Sequence, residues 1–342
     1  MGSEMLRLGV IGCGYWGPNV IRNLLNLEDV TVVAVADRDE ERLESAGRRN
    51  PAIETMTDAG ALLARDDLDA VAIVTPLETH FDFAKAALDS GKHVFIEKPI
   101  AATVEQAQEL IEVADGAGRV LMVDHTFVYT GAVRMIRELI QGGELGDLYY
   151  FDSVRVNLGQ FRDDVNVLWD LGPHDLSIML NVLPARPVAV SAVGSSPVST
   201  EEWGKESVAY VSVWLEGGMI AHLHLNWLSP VKIRRTLIGG SRRMVVYDAL
   251  DPDNQIKVFD KGVDVSSNEA VRRALVDYRT GDMVAPKVDQ TEALEVGCRH
   301  FIDCIREGRT PETGGESGLQ VVRLLEAAQR SMSEMGRVVD LS

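Results

Sequence analysis

The chain is expected to fold as an α/β half on a doubly wound parallel sheet, followed by an α+β half with a large, open, mainly antiparallel sheet. Three observations predict this. The apolar run Leu6–Ile11 leads into glycines spaced GxGxxG at Gly12, Gly14 and Gly17, then into Val20, Ile21, Leu24 and Leu25 at helical spacing. Strand and helix patterns then alternate up to Val123. From Val133 onward, long runs of alternating polarity replace that rhythm.

The first-half strands read Leu6–Ile11, Val30–Ala36, Ala70–Val74, His93–Ile96 and Val120–Val123. They are mostly apolar throughout, as strands covered on both faces are. Helical patterns fall between them at Pro18–Leu27, Glu40–Arg48, Asp58–Ala64, Thr79–Ser90 and Thr103–Ala117. The last opens on Thr103 as N-cap, with Gln106 at the capping-box position, and closes at Gly116 and Gly118. The second half begins with a helix at Val133–Gln141 that ends at Gly142-Gly143. Strand patterns follow at Leu148–Asn157, Ala185–Val193, Ser207–Leu215, Gly218–Asn226, Lys232–Ile238, Arg243–Asp248 and Gln255–Asp260, interrupted by a helix near Leu168–Leu183. Helices at Glu292–Glu307 and Gly318–Met335 close the chain. The division expected is a dinucleotide-binding domain over 1–123 and a substrate-binding and oligomerisation domain over 124–342. Asp264–Val288 is polar and weakly patterned and reads as a mobile excursion or a partner-facing loop.

Composition narrows the function classes. With 342 residues, 46% hydrophobic and 25% charged, the chain has an ordinary globular profile. A net charge of −18 argues against a nucleic-acid backbone as partner, although local basic residues can still hold an anionic small substrate. No apolar run is long enough to cross a bilayer and no segment resembles a signal peptide, so the expectation is a cytoplasmic protein without a membrane partner. The cysteines Cys13, Cys298 and Cys304 show no metal-ligand spacing, and no metal is expected. Cys13, inside the glycine turn, reads as a packing residue.

The glycine turn carries the most specific chemistry. Gly12 permits the turn, Gly14 lets a pyrophosphate approach the backbone, and Gly17 lets helix and strand come close, with the helix N-terminus facing the phosphates. Tyr15 and Trp16 belong to the same loop. The second apolar run ends at Asp37, twenty residues beyond Gly17. A carboxylate there accepts hydrogen bonds from a ribose diol and repels a 2′-phosphate, which favours NAD over NADP. Its neighbour Arg38 works the other way, since it can pair with that phosphate.

Other candidates stand at the ends of strands. In an open parallel sheet the ligand crevice lies outside the C-terminal strand ends. Glu97-Lys98-Pro99 follows the fourth strand, and a residue before proline stays extended, so Lys98 is aimed at that crevice; a solvated lysine in a turn is the competing reading. Thr75-Pro76 ends the third strand, with His80 one turn into the next helix; an ordinary strand exit and a helix-terminal histidine are the alternatives. Asp170 and His174 are four apart and share one helix face, where the carboxylate can fix the imidazole's tautomer, although such a histidine can also simply cap or pack. His125, Arg155 and Asn157 line the first elements of the second half, and Arg155 and Asn157 alternate with Ser153 in a polar stripe that can equally be a solvated face. Trp203, Trp214 and Trp227 read as packing or interface residues rather than a sugar platform.

In their order and spacing, the GxGxxG run, Thr75-Pro76 with His80, Glu97-Lys98-Pro99 and Asp170-xxx-His174 resemble the Gfo/Idh/MocA family of oxidoreductases over essentially the whole chain. The resemblance implies an NAD(P)-dependent dehydrogenase acting on a hydroxyl of a sugar, cyclitol or nucleotide sugar. It implies that Lys98, Asp170 and His174 surround the reacting carbon. His174 would move the hydroxyl proton, Asp170 would orient it, and Lys98 would polarise the oxygen. Family members often pair through the large sheet, so a homodimer or homotetramer is expected. Two segments depart from the common pattern where substrate is held. Asp163–Trp169 replaces a glycine-rich run, and Asp124–Thr130 replaces an Arg-Phe-x-Pro stretch. Gly14–Asn19 and Arg155–Gly159 are similar to nucleotide-sugar 3-dehydrogenases of surface-polysaccharide synthesis, which makes a nucleotide sugar the leading substrate class. The alternatives are a cyclitol or free-sugar dehydrogenase and a non-catalytic dinucleotide-binding regulator.

Overall fold

The structure is a computed structural model that describes residues 5–159, 161–198, 204–264 and 277–341. Trp203 therefore lies outside the described residues. Two compact units emerge, Met1–Tyr129 with Thr291–Arg323 and Thr130–Gln290 with Leu324–Ser342.

The first unit is built on six parallel strands: β1 (Leu6–Ile11), β2 (Val30–Ala36), β3 (Glu54–Met56), β4 (Ala70–Ile73), β5 (His93–Glu97) and β6 (Leu121–Asp124), in the order β3-β2-β1-β4-β5-β6. All four residues of β4 and all four of β6 are buried, which explains the apolar run of β4 and of Leu121–Val123 in β6. The strand order reverses between β1 and β4, and this switch point is where such sheets bind ligands. Five helices connect the strands: α1 (Gly17–Leu25), α2 (Glu40–Arg49), α3 (Ala59–Leu63), α4 (His80–Asp89) and α5 (Val104–Ala117). Their starts are set locally. Asp39, Asp58 and Thr103 each cap a helix by accepting N–H groups of its first turn. The Gln106 side chain accepts from the Ala102 N–H, one residue before the cap.

Helix α8 (Ala293–Glu307), read from sequence as part of the second domain, belongs to this first unit. Its Leu294, Cys298, Phe301 and Ile302 join the core beside β1, β2 and α1, and Phe301 meets Phe95 of β5 with ring centroids 5.6 Å apart. Glu292, at its N-cap, is forked by Arg22 of α1 at 2.7 and 2.8 Å. The first unit therefore continues past Val123 to Tyr129 and takes back a later segment, because an apolar helix face goes where it is covered, whatever its place in the chain.

Among its described residues the second unit holds helices α6 (Gly131–Gln141) and α7 (Val167–Val182) and nine strands. The strands are β7 (Leu148–Leu158), β8 (Pro187–Ser195), β9 (Val208–Leu215), β10 (Ile220–Asn226), β11 (Leu228–Gly240), β12 (Met244–Asp248), β13 (Ile256–Asp264), β14 (Asp277–Val284) and β15 (Val339–Asp340). They form one sheet in the order β14-β13-β12-β11-β7-β10-β9-β8-β15. Among the described residues only β7 and β10 pair in parallel, so the sheet is mainly antiparallel. Of the last helix, α9 (Gly315–Ser333), residues to Arg323 belong to the first unit and those from Leu324 to the second. In the stretch read as an excursion, β13 and β14 pair as neighbours, and 265–276 lie outside the described residues. Helix α7 lies on the sheet over β7, β9 and β10. Ser153 and Arg155 of β7 are buried on the covered face, so the polar stripe is not a solvated one. Val211, Val213 and Leu223 are buried in register with that face. The opposite face carries Tyr210, Ser212, His222 and His224, with the Tyr210 ring stacked on His224 at 4.6 Å.

Candidate functional sites

The three glycines of the β1–α1 loop are there for different reasons. Gly12 has φ +103°, and a Cβ on it would lie 2.2 Å from the Val74 carbonyl oxygen. A Cβ on Gly17 would lie 2.2 Å from the Gly12 carbonyl oxygen. Both are therefore needed by the chain's own backbone. Gly14 is different, because its nearest neighbour would be the Arg42 guanidinium at 3.6 Å. Nothing inside the protein needs the space above Gly14, so the missing Cβ leaves a cradle for something brought from outside.

Two further features fit a dinucleotide there. Helix α1 begins at Trp16 without a side-chain cap and with no acidic residue in its first turn, so its N-terminal dipole faces outward uncompensated. Asp37, at the end of β2, accepts the Cys13 N–H at 2.6 Å and the Asp39 N–H at 2.9 Å, which fixes its carboxylate against the loop. A bound dinucleotide would have its pyrophosphate over Gly14 and the α1 amides and its ribose diol at Asp37. Arg38 is exposed beside Asp37, and Tyr15 is 92% exposed on the loop. Cys13 is buried, and burial followed by the Asp37 charge pushes its thiol up to about 12, so it packs and stays protonated.

At the ends of β4, β5 and β6 the sequence motifs come together. His80, at the start of α4, is buried, and its ring spans the Pro99 carbonyl at 2.8 Å and the Thr75 carbonyl at 2.9 Å. The Thr75-Pro76…His80 and Glu97-Lys98-Pro99 motifs are thus one corner, in which a histidine ring ties the exits of β4 and β5. The Lys98–Pro99 peptide is cis. Glu97 lies in register with Asp124 of β6, and the two carboxyls share a hydrogen bond. Asp124 is 2% exposed and also accepts the Thr126 hydroxyl at 2.7 Å and the Trp16 indole N–H at 3.1 Å. Burial and the neighbouring Asp124 charge raise the Glu97 pKa well above the carboxylate range, while the Lys98 charge opposes them. Burial raises Asp124 too, so the pair holds a proton. His125 is 1% exposed, and neither ring nitrogen has a hydrogen-bond partner among the described residues. Burial, then the Lys98 charge, brings its pKa down to about 3, so the ring is neutral.

In the second unit, Asn166 caps α7 by accepting the Trp169 N–H at 3.1 Å, while its amide nitrogen reaches Glu206 and Gln329, each at 2.8 Å. This pins the helix start and sets Asp170 and His174 one turn apart, both partly exposed. Asp170 accepts the Trp227 indole N–H at 3.1 Å, and its other oxygen lies 3.7 Å from Arg162. Asn157 is partly exposed near the end of β7. Arg155, expected at the substrate, is instead buried and forks Asp175 of α7 at 2.9 and 3.0 Å. Its guanidinium fastens α7 to β7, because a charge enclosed under a helix is stable only with its counter-ion. Trp227, expected only to pack, also holds Asp170. Sequence reasoning missed Trp227, Arg162 and Asp175 in these roles, since each acts through a partner on a different element, and for Trp227 one 57 residues away. Among the described residues no cluster of three His, Cys, Asp or Glu side chains could hold a metal, and no helix is long and apolar enough to cross a membrane.

A glycine cradle at a helix N-terminus, an acid closing β2 and a lysine at the β5 exit define a dinucleotide-dependent oxidoreductase. Residues 6–125 match the model of the oxidoreductase family with an NAD-binding Rossmann fold, and residues 133–246 match the C-terminal domain of the same Gfo/Idh/MocA group. The chain belongs to the Gfo/Idh/MocA family, and its nucleotide cofactor is NAD. It is 30% identical to UDP-N-acetylglucosamine 3-dehydrogenase of Acidithiobacillus ferrooxidans, over 93% of this chain and 94% of that one. A solved structure of the enzyme of that name from the same organism superposes with a TM-score of 0.78 at 27% identity, covering 96% of this chain and 98% of that one. The chain is 28% identical to dTDP-3,4-didehydro-2,6-dideoxy-α-D-glucose 3-reductase of Saccharopolyspora spinosa, over 80% of this chain and 86% of that protein. The fold is as the sequence implied, and the chain is a sugar-dehydrogenase-type oxidoreductase.

Proposed function

We propose that this protein is a nucleotide-sugar 3-dehydrogenase that uses NAD in preference to NADP. The observation that carries this reading is the end-to-end likeness to UDP-N-acetylglucosamine 3-dehydrogenase, joined to the presence of Lys98, Asp170 and His174. When bound, the cofactor supplies the hydride chemistry, and the protein's own residues manage the proton. His174 takes the proton from the sugar hydroxyl or returns it. Asp170, held by Trp227 and facing Arg162, orients His174. Lys98, extended at the β5 exit, polarises the sugar oxygen. Asp37, fixed against the glycine loop, favours the free ribose diol of NAD. The protein works as a homodimer or homotetramer, with the sheet face bearing Tyr210 and His224 covered by a second copy; Val211, Val213 and Leu223 face the other way. Light scattering at micromolar concentration checks the assembly, and a monomeric mass would refute it.

The function is tested by following NADH absorbance with NAD and a panel of UDP- and dTDP-sugars, free sugars and inositols. Turnover with a nucleotide sugar that is lost with the free sugar is the expected outcome. Turnover with free sugars or inositols alone would move the protein to the cyclitol and free-sugar class.

A further inference from the structure

Trp16 occupies an unusual place. It is the N-cap residue of α1, where a side chain ordinarily bonds back to the helix's own amides, yet it makes no such bond. Its indole instead leaves the glycine loop and donates to Asp124, a residue 108 positions away on β6. Asp124 receives it as part of a built arrangement, with Thr126 donating to one carboxylate oxygen and Trp16 to the other. Glu97, opposite on β5, completes the set as the proton-sharing partner. All of these groups lie in the first unit. An aspartate sealed inside a sheet of apolar strands is costly unless its lone pairs are met. Here they are met by the Trp16 indole from the cofactor loop, by the Thr126 hydroxyl and by the carboxyl of Glu97, the residue that precedes Lys98.

We propose that the Asp124–Glu97 carboxyl pair is a latch that holds the glycine loop, through the Trp16 indole, in the conformation that receives the NAD pyrophosphate. Asp124 is then a positioning residue: it touches no cofactor atom and acts through Trp16. The latch also explains why α1 has no side-chain cap. The loop is anchored from the neighbouring strand, which leaves the helix N-terminus open for phosphate. A Ser, Asp or Asn cap at position 16 would anchor the loop equally well but would occupy the amides a phosphate needs.

The test is NAD binding by titration calorimetry, with NAD itself as the probe and no substrate required. A hydrogen bond to a buried charged group justifies an expected effect of about tenfold. Trp16→Phe keeps an aromatic ring and removes the donor, and it should weaken NAD about tenfold in a protein that still folds. Asp124→Leu should weaken it by a similar factor, and Asp124→Asn, which retains an acceptor for the indole, by less. The Trp16→Phe/Asp124→Leu double variant should bind no worse than the weaker single, because each change breaks the same link. Independent, multiplying effects would overturn the latch, and so would unchanged affinity in Trp16→Phe. Should Asp124→Leu fail to fold, Trp16→Phe alone decides.

Discussion

In the second unit, the Asp175 carboxylate is buried against a full counter-charge, with Arg155 forked onto it at 2.9 and 3.0 Å. In the first unit, the equally buried Asp124 has no such fork. It is met by neutral donors and by a second carboxyl, Glu97, with which it shares a proton. An ion pair of fixed geometry is rigid, and here it fastens a helix to a strand. A proton-sharing pair carries one negative charge instead of two and makes bonds that reach to a loop, and here it stands beside the residue expected to work in catalysis. One device serves the scaffold and the other serves the site.

The largest effect that could break this comparison is the loss of one member of the ion pair. Arg155→Met leaves Asp175 charged and enclosed, and it should destabilise the protein by about 3–5 kcal/mol in urea unfolding. NAD affinity of the protein that remains folded should not change. Arg155→Met with Asp175→Leu should recover much of the loss, and no recovery would mean that the pair is not what fastens the helix.

Within the glycine loop, Gly12→Ala should cost about 3 kcal/mol, since it forces a side chain into a φ of +103° against the Val74 carbonyl. Gly14→Ala meets nothing closer than 3.6 Å and should leave the melting temperature alone while weakening NAD by about tenfold or more. Equal stability losses in the two variants would contradict the division of roles among the glycines.

Acid sharpens the comparison from another side. His125 is held at about 3 and His93 at about 4, both mainly by burial, against an ordinary value of 6.5. The unfolded chain binds those protons first. Stability from these groups is therefore complete above pH 6.5 and declines as the pH falls toward the folded values, by about 1.4 kcal/mol per pH unit for His125. Glu97 runs oppositely: its raised pKa gives stability at low pH that is lost as the pH rises through it. His125→Leu should flatten the dependence of the urea midpoint between pH 6.5 and 4, and an unaltered slope would assign acid sensitivity to other groups. The smallest effect is in cofactor choice. Asp37→Ser should shift preference toward NADP by about tenfold, by relieving repulsion of a 2′-phosphate beside Arg38.

What could be read from sequence was what is local and periodic. The β1 and β2 bounds were legible to the residue from their apolar runs, which stop at the glycine turn and at Asp37. Strand β3 was not, since Glu54-Thr55-Met56 is held at the sheet edge by backbone pairing and has no apolar pattern of its own. Polar β14 was hidden for the same reason. The glycine loop, the strand exits and the Asp170/His174 face were legible as motifs. Their supports were not, because Trp16 meets Asp124 across 108 residues and Trp227 meets Asp170 across 57. Arg155 looked like a substrate cation because a strand pattern does not say which face a helix will cover.

The central claim is that NAD is held by the glycine loop and Asp37, while His174 handles the substrate proton. It is tested most directly by measuring NAD affinity and turnover together for His174→Ala, on whichever nucleotide sugar the wild-type enzyme turns over. The account predicts near-native NAD binding with turnover reduced about 10²–10⁴-fold, the ordinary loss for a positioned proton-transfer group. Wild-type turnover in His174→Ala would contradict it and assign the proton to another group.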